Sequence, residues 1–291
     1  MVIKGIDRNL CINCGKCVED CPEDLFREIS PSNTVFMDPA GRCILCGHCL
    51  AVCPVNAVLY EDGETPLEHP LISQPEKIMG TEDLLVLLRA RRSVRRFDGR
   101  EVPETAVNTI LDAMRYAPTG SNRQAIHYTV ITSREEIARF SRKVVGLFKQ
   151  VWILLTIIRR LVPFRRKKKG SILRNGLFIT LKSALQKAKN GGDPIFYHAP
   201  CVMVVSATPY AHQPGVDAGI ILTYGMLAAQ SLGLGTCLVG FAHEKLAVSP
   251  GLRRRLRIPH RFRPQGVMAL GYPRVRYLRA PMRNPAAVTR L

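Results

Sequence analysis

Eight of the chain's ten cysteines fall into two copies of one pattern. The first copy is Cys11-x2-Cys14-x2-Cys17-x3-Cys21-Pro22, and the second is Cys43-x2-Cys46-x2-Cys49-x3-Cys53-Pro54. Cys14-Gly-Lys-Cys17-Val is echoed 32 positions later (43 − 11) by Cys46-Gly-His-Cys49-Leu, so the chain opens on an internal duplication. Three thiols at every third position wrap a tight loop around an iron–sulfur cube. The fourth, followed by proline, lies beyond that loop and ligates the other cube. The spacing therefore predicts two [4Fe–4S] clusters with crossed ligation. Cys11, Cys14, Cys17 and Cys53 hold one, and Cys43, Cys46, Cys49 and Cys21 hold the other. Zinc sites use separated pairs of ligands rather than three cysteines in seven residues, and a reducing compartment disfavours disulfides.

This segment resembles the bacterial two-cluster ferredoxin module over residues 1–60, which implies a store and relay for single electrons. His48 lies inside the second loop, but eight cysteines leave it no coordination role, and it reads as a surface residue. Cys201 and Cys237 sit in apolar runs and are expected to be small buried hydrophobes.

No apolar leader core fits before Cys11, so export is not expected and a cytoplasmic location is. The longest apolar stretch, Val151 to Val162, is broken by Arg159 and Arg160 and falls short of the roughly 20 residues that span a bilayer. Residues 61–80 have the Pro/Gly-rich, aperiodic composition of a linker. Charge divides at that boundary. Residues 1–80 carry six Lys/Arg against twelve Asp/Glu, net −6, whereas residues 81–291 carry 36 against 11, net +25. Fields of opposite sign favour docking of one part on the other.

Beyond the linker, 81–291 is expected to form one domain. Thr81–Leu88 reads as a helix with an N-cap, and Val102-Pro103-Glu104 starts another that reaches Tyr116. His127–Ile131, Cys201–Ser206 and Val267–Gly271 read as strands. Asp217–Leu232, rich in small residues, reads as a buried helix. Helices grouped around a few separated strands predict an α+β layer fold.

No Walker-type loop, dinucleotide fingerprint or nucleophile elbow occurs. The run Arg91-Arg92-Ser93-Val94-Arg95-Arg96-Phe97 offers guanidiniums and a hydroxyl suited to a phosphate. Tyr116-Ala-Pro118-Thr119-Gly120-Ser121-Asn122-Arg123-Gln124 follows, then Asp217-Ala-Gly219, Gly233-Leu-Gly235-Thr-Cys-Leu-Val-Gly240 and Gly271-Tyr272-Pro273. In this order and spacing the set resembles the FMN-dependent nitroreductase family, from about residue 81 to residue 283.

The resemblance implies that Arg91, Arg92, Ser93 and Arg95 bind the FMN phosphate and the pyrimidine side of the ring. It implies that Pro118, Thr119, Gly120, Asn122 and Gln124 reach the flavin from a partner subunit in an intertwined homodimer. Gly240 matches the backbone beside the flavin's reactive edge, and Arg274 and Arg276 are candidates to close on the phosphate. Two features depart from the family. Pro-Trp commonly follows the loop's Gln, whereas Ala125-Ile126-His127 stands here. The span 140–195 carries Trp152-Ile-Leu-Leu155 and the cations Arg165–Lys169 where variable helices cover the active site. That segment reads either as a lid or as an element lying on an anionic membrane surface, peripheral at its inner face. No aromatic-interleaved or zinc-finger pattern accompanies the charge, so nucleic acid is not an expected partner.

The whole reads as a ferredoxin-like two-cluster domain followed by a nitroreductase-like α+β FMN domain. Electrons pass from the clusters to FMN and on to a nitroaromatic, quinone or enone acceptor. The donor is an external ferredoxin or NAD(P)H, and with NAD(P)H the clusters carry electrons outward. An electron-transfer subunit docked on a larger or membrane-bound redox complex is the alternative.

Overall fold

The duplication written in the cysteines is also a duplication of backbone. Left-handed φ angles recur at the same step, at Asn13 (52°) and Leu45 (54°), Gly15 (73°) and Gly47 (77°), and Asp24 (53°) and Asn56 (52°). Such angles reverse the chain sharply, which suits Gly and Asn and is costly for a branched residue such as leucine. Gly15 and Gly47 each open a single helical turn, α1 (Lys16–Glu19) and α2 (His48–Ala51). The computed structural model describes residues 1–30, 33–161 and 170–291, with the side chains of 158–161 and 170–175 excepted. The basic run Arg165–Lys169 lies outside the described residues.

The chain divides into two units, Met1–Gly80 with Thr119–Arg123, and Thr81–Pro118 with Gln124–Leu291. In the first, β1 (Val2–Ile6) pairs antiparallel with β4 (Val58–Glu61), and β2 (Phe26–Ser30) pairs antiparallel with β3 (Asn33–Phe36). Its core is small: Ile3, Phe26, Cys49 and Val58, with Phe36 set against Phe26 at 5.0 Å.

The second unit is built on a four-stranded antiparallel sheet in the order β5 (Ile126–Ile131), β6 (Cys201–Ala207), β8 (Arg263–Gly271) and β7 (Gly235–Leu238). All seven residues of β6 are buried. This is expected of a central strand covered on both faces, whose sequence Cys-Val-Met-Val-Val-Ser-Ala is apolar throughout rather than alternating. On one face lie α4 (Glu104–Arg115) and α7 (Pro214–Ser231), packed through Ile110, Met114, Ile221 and Met226. They approach closely because Gly225 has no side chain, and a Cβ there would meet the Met114 sulfur at 2.8 Å. On the other face, Phe140, Val144 and Phe148 of α5 (Arg134–Leu161) join Leu181 of α6 (Gly170–Lys189) and Leu246 of α8 (Gly240–Ala247). The remaining helices are α3 (Thr81–Ala90) and α9 (Pro250–Arg255). The α+β expectation stands, as do all the strands and helices anticipated from the sequence.

The apolar run of α5 does not present one face to solvent. Trp152 stacks on Phe178 of α6 at 5.9 Å, and both Trp152 and Leu155 pack against the core, whereas Ile153 and Leu154 are exposed. Among the described residues no helix is long and apolar enough to cross a membrane.

Candidate functional site

Two small cavities lie in the first unit, and the cysteines sort between them. Cys11, Cys14, Cys17 and Cys53 line one, and Cys21, Cys43, Cys46 and Cys49 line the other. Each cavity thus takes three thiols from one loop and one from the opposite copy. The fourth thiols are oriented alike: the Leu25 N–H donates to Cys21 Sγ at 3.4 Å, and the Ala57 N–H donates to Cys53 Sγ at 3.2 Å. Backbone donors to sulfur stabilise the thiolate and tune an iron–sulfur centre. Burial pushes the Cys17 and Cys43 thiols up, and the Cys49 thiol up to about 12. His48 is exposed and faces Asp20, with Nδ1 at 3.5 Å from the carboxylate.

In the second unit the arginine run is laid along the sheet rather than out in solvent. Val94 and Phe97 are buried, which anchors the segment and turns the polar residues between them outward. The Val94 N–H donates to the Thr236 carbonyl at 2.9 Å, Ser93 bridges Thr236 in parallel sense, and Phe97 bridges Pro273. Two glycines make room for this. A Cβ on Gly235 would lie 2.5 Å from Val94, and one on Gly271 would lie 3.0 Å from Phe97. The segment covers the free edge of β7, as exposed edges require.

The Arg274 N–H donates to the Arg96 carbonyl at 2.8 Å, which ties the turn after β8 to the same segment. Arg95, Arg96, Lys187 and Arg274 then line a single open cavity of about 550 Å³ with Tyr197 and His198. Arg95 and Lys187 stand over the Tyr197 ring, at 6.0 Å and 5.3 Å. Beneath them the Cys237 thiol is raised by burial, opposed by Arg95, Arg91 and the Ser93 hydroxyl. Arg95 and Arg274 share that cavity, whereas Arg91 and Ser93 meet Arg95 at the Cys237 thiol. Arg92 faces Tyr277 at 5.3 Å, and Arg276 is exposed. Gly240 is the first residue of α8, with open space on its Cβ side. Pro118 and Gln124 belong to this unit, whereas Thr119, Gly120 and Asn122 fall in the other.

The nitroreductase family profile matches residues 88–272, well over half of the chain. The chain belongs to the nitroreductase family. A 4Fe–4S dicluster domain matches residues 10–58. The chain is thus a nitroreductase-type oxidoreductase with a ferredoxin-like iron–sulfur domain at its N-terminal end. A Methanothermobacter thermautotrophicus protein, named as a candidate NADH dehydrogenase/NAD(P)H nitroreductase, is 27% identical over 66% of this chain and 78% of its own. A nitroreductase from Bacteroides fragilis, solved with bound FMN, shares the fold with a TM-score of 0.54. It is 24% identical, with coverage of 72% of this chain and 100% of its own. A second, from Desulfitobacterium hafniense and also with bound FMN, has a TM-score of 0.54 at 21% identity over 71% and 97%.

Within this nitroreductase unit, Lys187 and Tyr197 have no counterpart in the sequence reading. Arg96 was legible as part of the run, but Lys187 and Tyr197 reach the cavity from α6 and the loop before β6. No spacing signal links them to residue 95.

Proposed function

We propose that the chain is an FMN-dependent oxidoreductase that carries two [4Fe–4S] clusters and reduces an organic acceptor of nitroaromatic, quinone or enone type. The observation that carries this reading is the sorting of eight cysteines into two four-thiol cavities on the chain that bears the nitroreductase unit. Four thiols per cavity, crossed between loops, are the donor set of a cube and not of isolated zinc pairs. The arginine cavity suits a flavin phosphate, since charge-assisted donors converge there from three segments of chain.

When bound, FMN supplies conversion between one-electron and two-electron chemistry, which iron–sulfur centres alone do not provide. The chain's own residues have narrower tasks. Arg91, Ser93, Arg95 and Arg274 hold the phosphate and the pyrimidine side, and their charge favours an anionic ring. Gly240, as the first residue of α8, has an N–H without an intrahelical partner and open space where a Cβ would lie, so a flat ring can lie against it. The loop Pro118–Gln124 completes the site from a second copy in a homodimer, as the family resemblance implies.

Anaerobic protein mixed with reduced ferredoxin and an acceptor screen tests the direction of flow. Acceptor reduction supported by ferredoxin, and not by NAD(P)H alone, agrees with the proposal. The names of the relatives mention NAD(P)H, which favours a second reading with NAD(P)H as the donor; the clusters would then carry electrons outward. Bleaching of the clusters by NADPH, without any ferredoxin, would select it.

A further inference from the structure

The two cysteine loops share a backbone but are not held in the same way. At the third position of the first loop stands Asn13, left-handed at φ 52°, and its side-chain carbonyl accepts the Thr34 N–H at 3.4 Å. Asparagine tolerates this conformation and can fasten it locally. The second loop has Leu45 at the same position and nearly the same angle, φ 54°. Leucine has neither the tolerance nor the polar side chain, so the second loop needs an outside hold.

Asp38 fixes the start of the loop, its carboxylate accepting the Cys43 N–H at 3.0 Å, and the hold on the Leu45 turn itself comes from residue 122. The Asn122 side-chain amide donates to the Leu45 carbonyl at 2.7 Å and to the Ile44 carbonyl at 3.2 Å. Thr119–Arg123 belongs to the same unit as the cysteine loops, and Asn122 lines a cavity there with Cys43, Ile44 and Leu45. Ser121, Asn122 and Gln124 are themselves left-handed, at φ 49°, 49° and 47°. A segment bent this sharply is kept so by what it binds. Asn122 thus stands in space for the asparagine that the second loop lacks in sequence.

We propose that Asn122 is a positioning residue for the second cluster. It holds the Cys43–Cys49 loop in the turn that presents its three thiols, while the first loop is independent of it. The proposal rests on the reading that Cys43, Cys46, Cys49 and Cys21 hold a cluster. It also makes that cluster, and not the other, sensitive to the conformation of the loop after Pro118, because a hold on one side is a hold on the other.

The experiment compares N122A, L45G and the double variant with the unaltered chain, each purified anaerobically. A redox titration followed by electron paramagnetic resonance reads the two clusters, and a timed chelator challenge reads iron release. In N122A, iron from one cluster should leave at least severalfold faster and that cluster's titration should shift, with the first unchanged. Glycine adopts left-handed angles without strain. Asn122→Ala should therefore have little effect on the second cluster in the L45G background, whatever it does to flavin, and a general loss of folding would not produce that suppression. Equal behaviour of N122A and the unaltered chain, equal loss from both clusters, or no suppression by L45G would each overturn the proposal. An unaltered chain lacking iron and sulfide would instead overturn the cluster reading beneath it.

Discussion

Arg95 reaches a phenol ring, a buried thiol and an open cavity at once, and the chemistry asked of it depends on its fork of donors. Removing one charge-assisted hydrogen bond to phosphate costs about 1.5–3 kcal/mol, or roughly ten- to a hundredfold in affinity. Arg91→Ala and Arg95→Ala should each weaken FMN by that factor in a titration of flavin-stripped protein, and both clusters should keep their spectra. Arg95→Lys should recover only part of the loss, because a point charge does not replace a planar fork. The cysteines make an equally local forecast. Cys21 lines the cavity of Cys43, Cys46 and Cys49, although it follows Cys17 in sequence. Cys21→Ala should abolish the signal of the second cluster and spare the first, and loss confined to the first would reverse the assignment.

The helical hairpin of α5 and α6 carries the forecast at the scale of elements. Trp152 is the chain's one tryptophan, and it lies between Phe178 and the core. Its emission should be that of a sheltered indole and should not move when anionic vesicles are added at low salt. A salt-sensitive blue shift would mean that the hairpin opens onto the membrane. The hairpin also marks where sequence reasoning runs out. Composition identified an apolar stretch from Val151 to Val162 but not which side of it faces the protein, since for Trp152 that depends on Phe178, 26 positions away (178 − 152). The same holds at the site. The crossed grouping of the cysteines was legible because their spacing is fixed within each short loop and repeated in the second copy. The arginine run was legible as a set of donors. Its place along the edge of β7, and the arrival of Lys187 and Tyr197, were not, because tertiary packing alone brings them there. Asn122 was assigned from the resemblance to the flavin loop. No local pattern pointed to the carbonyls of Ile44 and Leu45, 78 and 77 positions earlier.

At the scale of the molecule, two kinds of redox chemistry share one chain, and their charges differ in sign, net −6 over residues 1–80 and net +25 over residues 81–291. A one-electron module has a use beside a nitroreductase unit only if both are loaded together. The central claim is therefore one of composition. Protein purified without oxygen and analysed for iron, acid-labile sulfide, zinc and flavin on the same sample tests it most directly. About eight irons and about eight sulfides per chain are expected, from two cubes each held by four thiolates, together with about one FMN in the arginine cavity. Stoichiometric zinc without sulfide, or clusters present with no flavin retained or taken up, would contradict it.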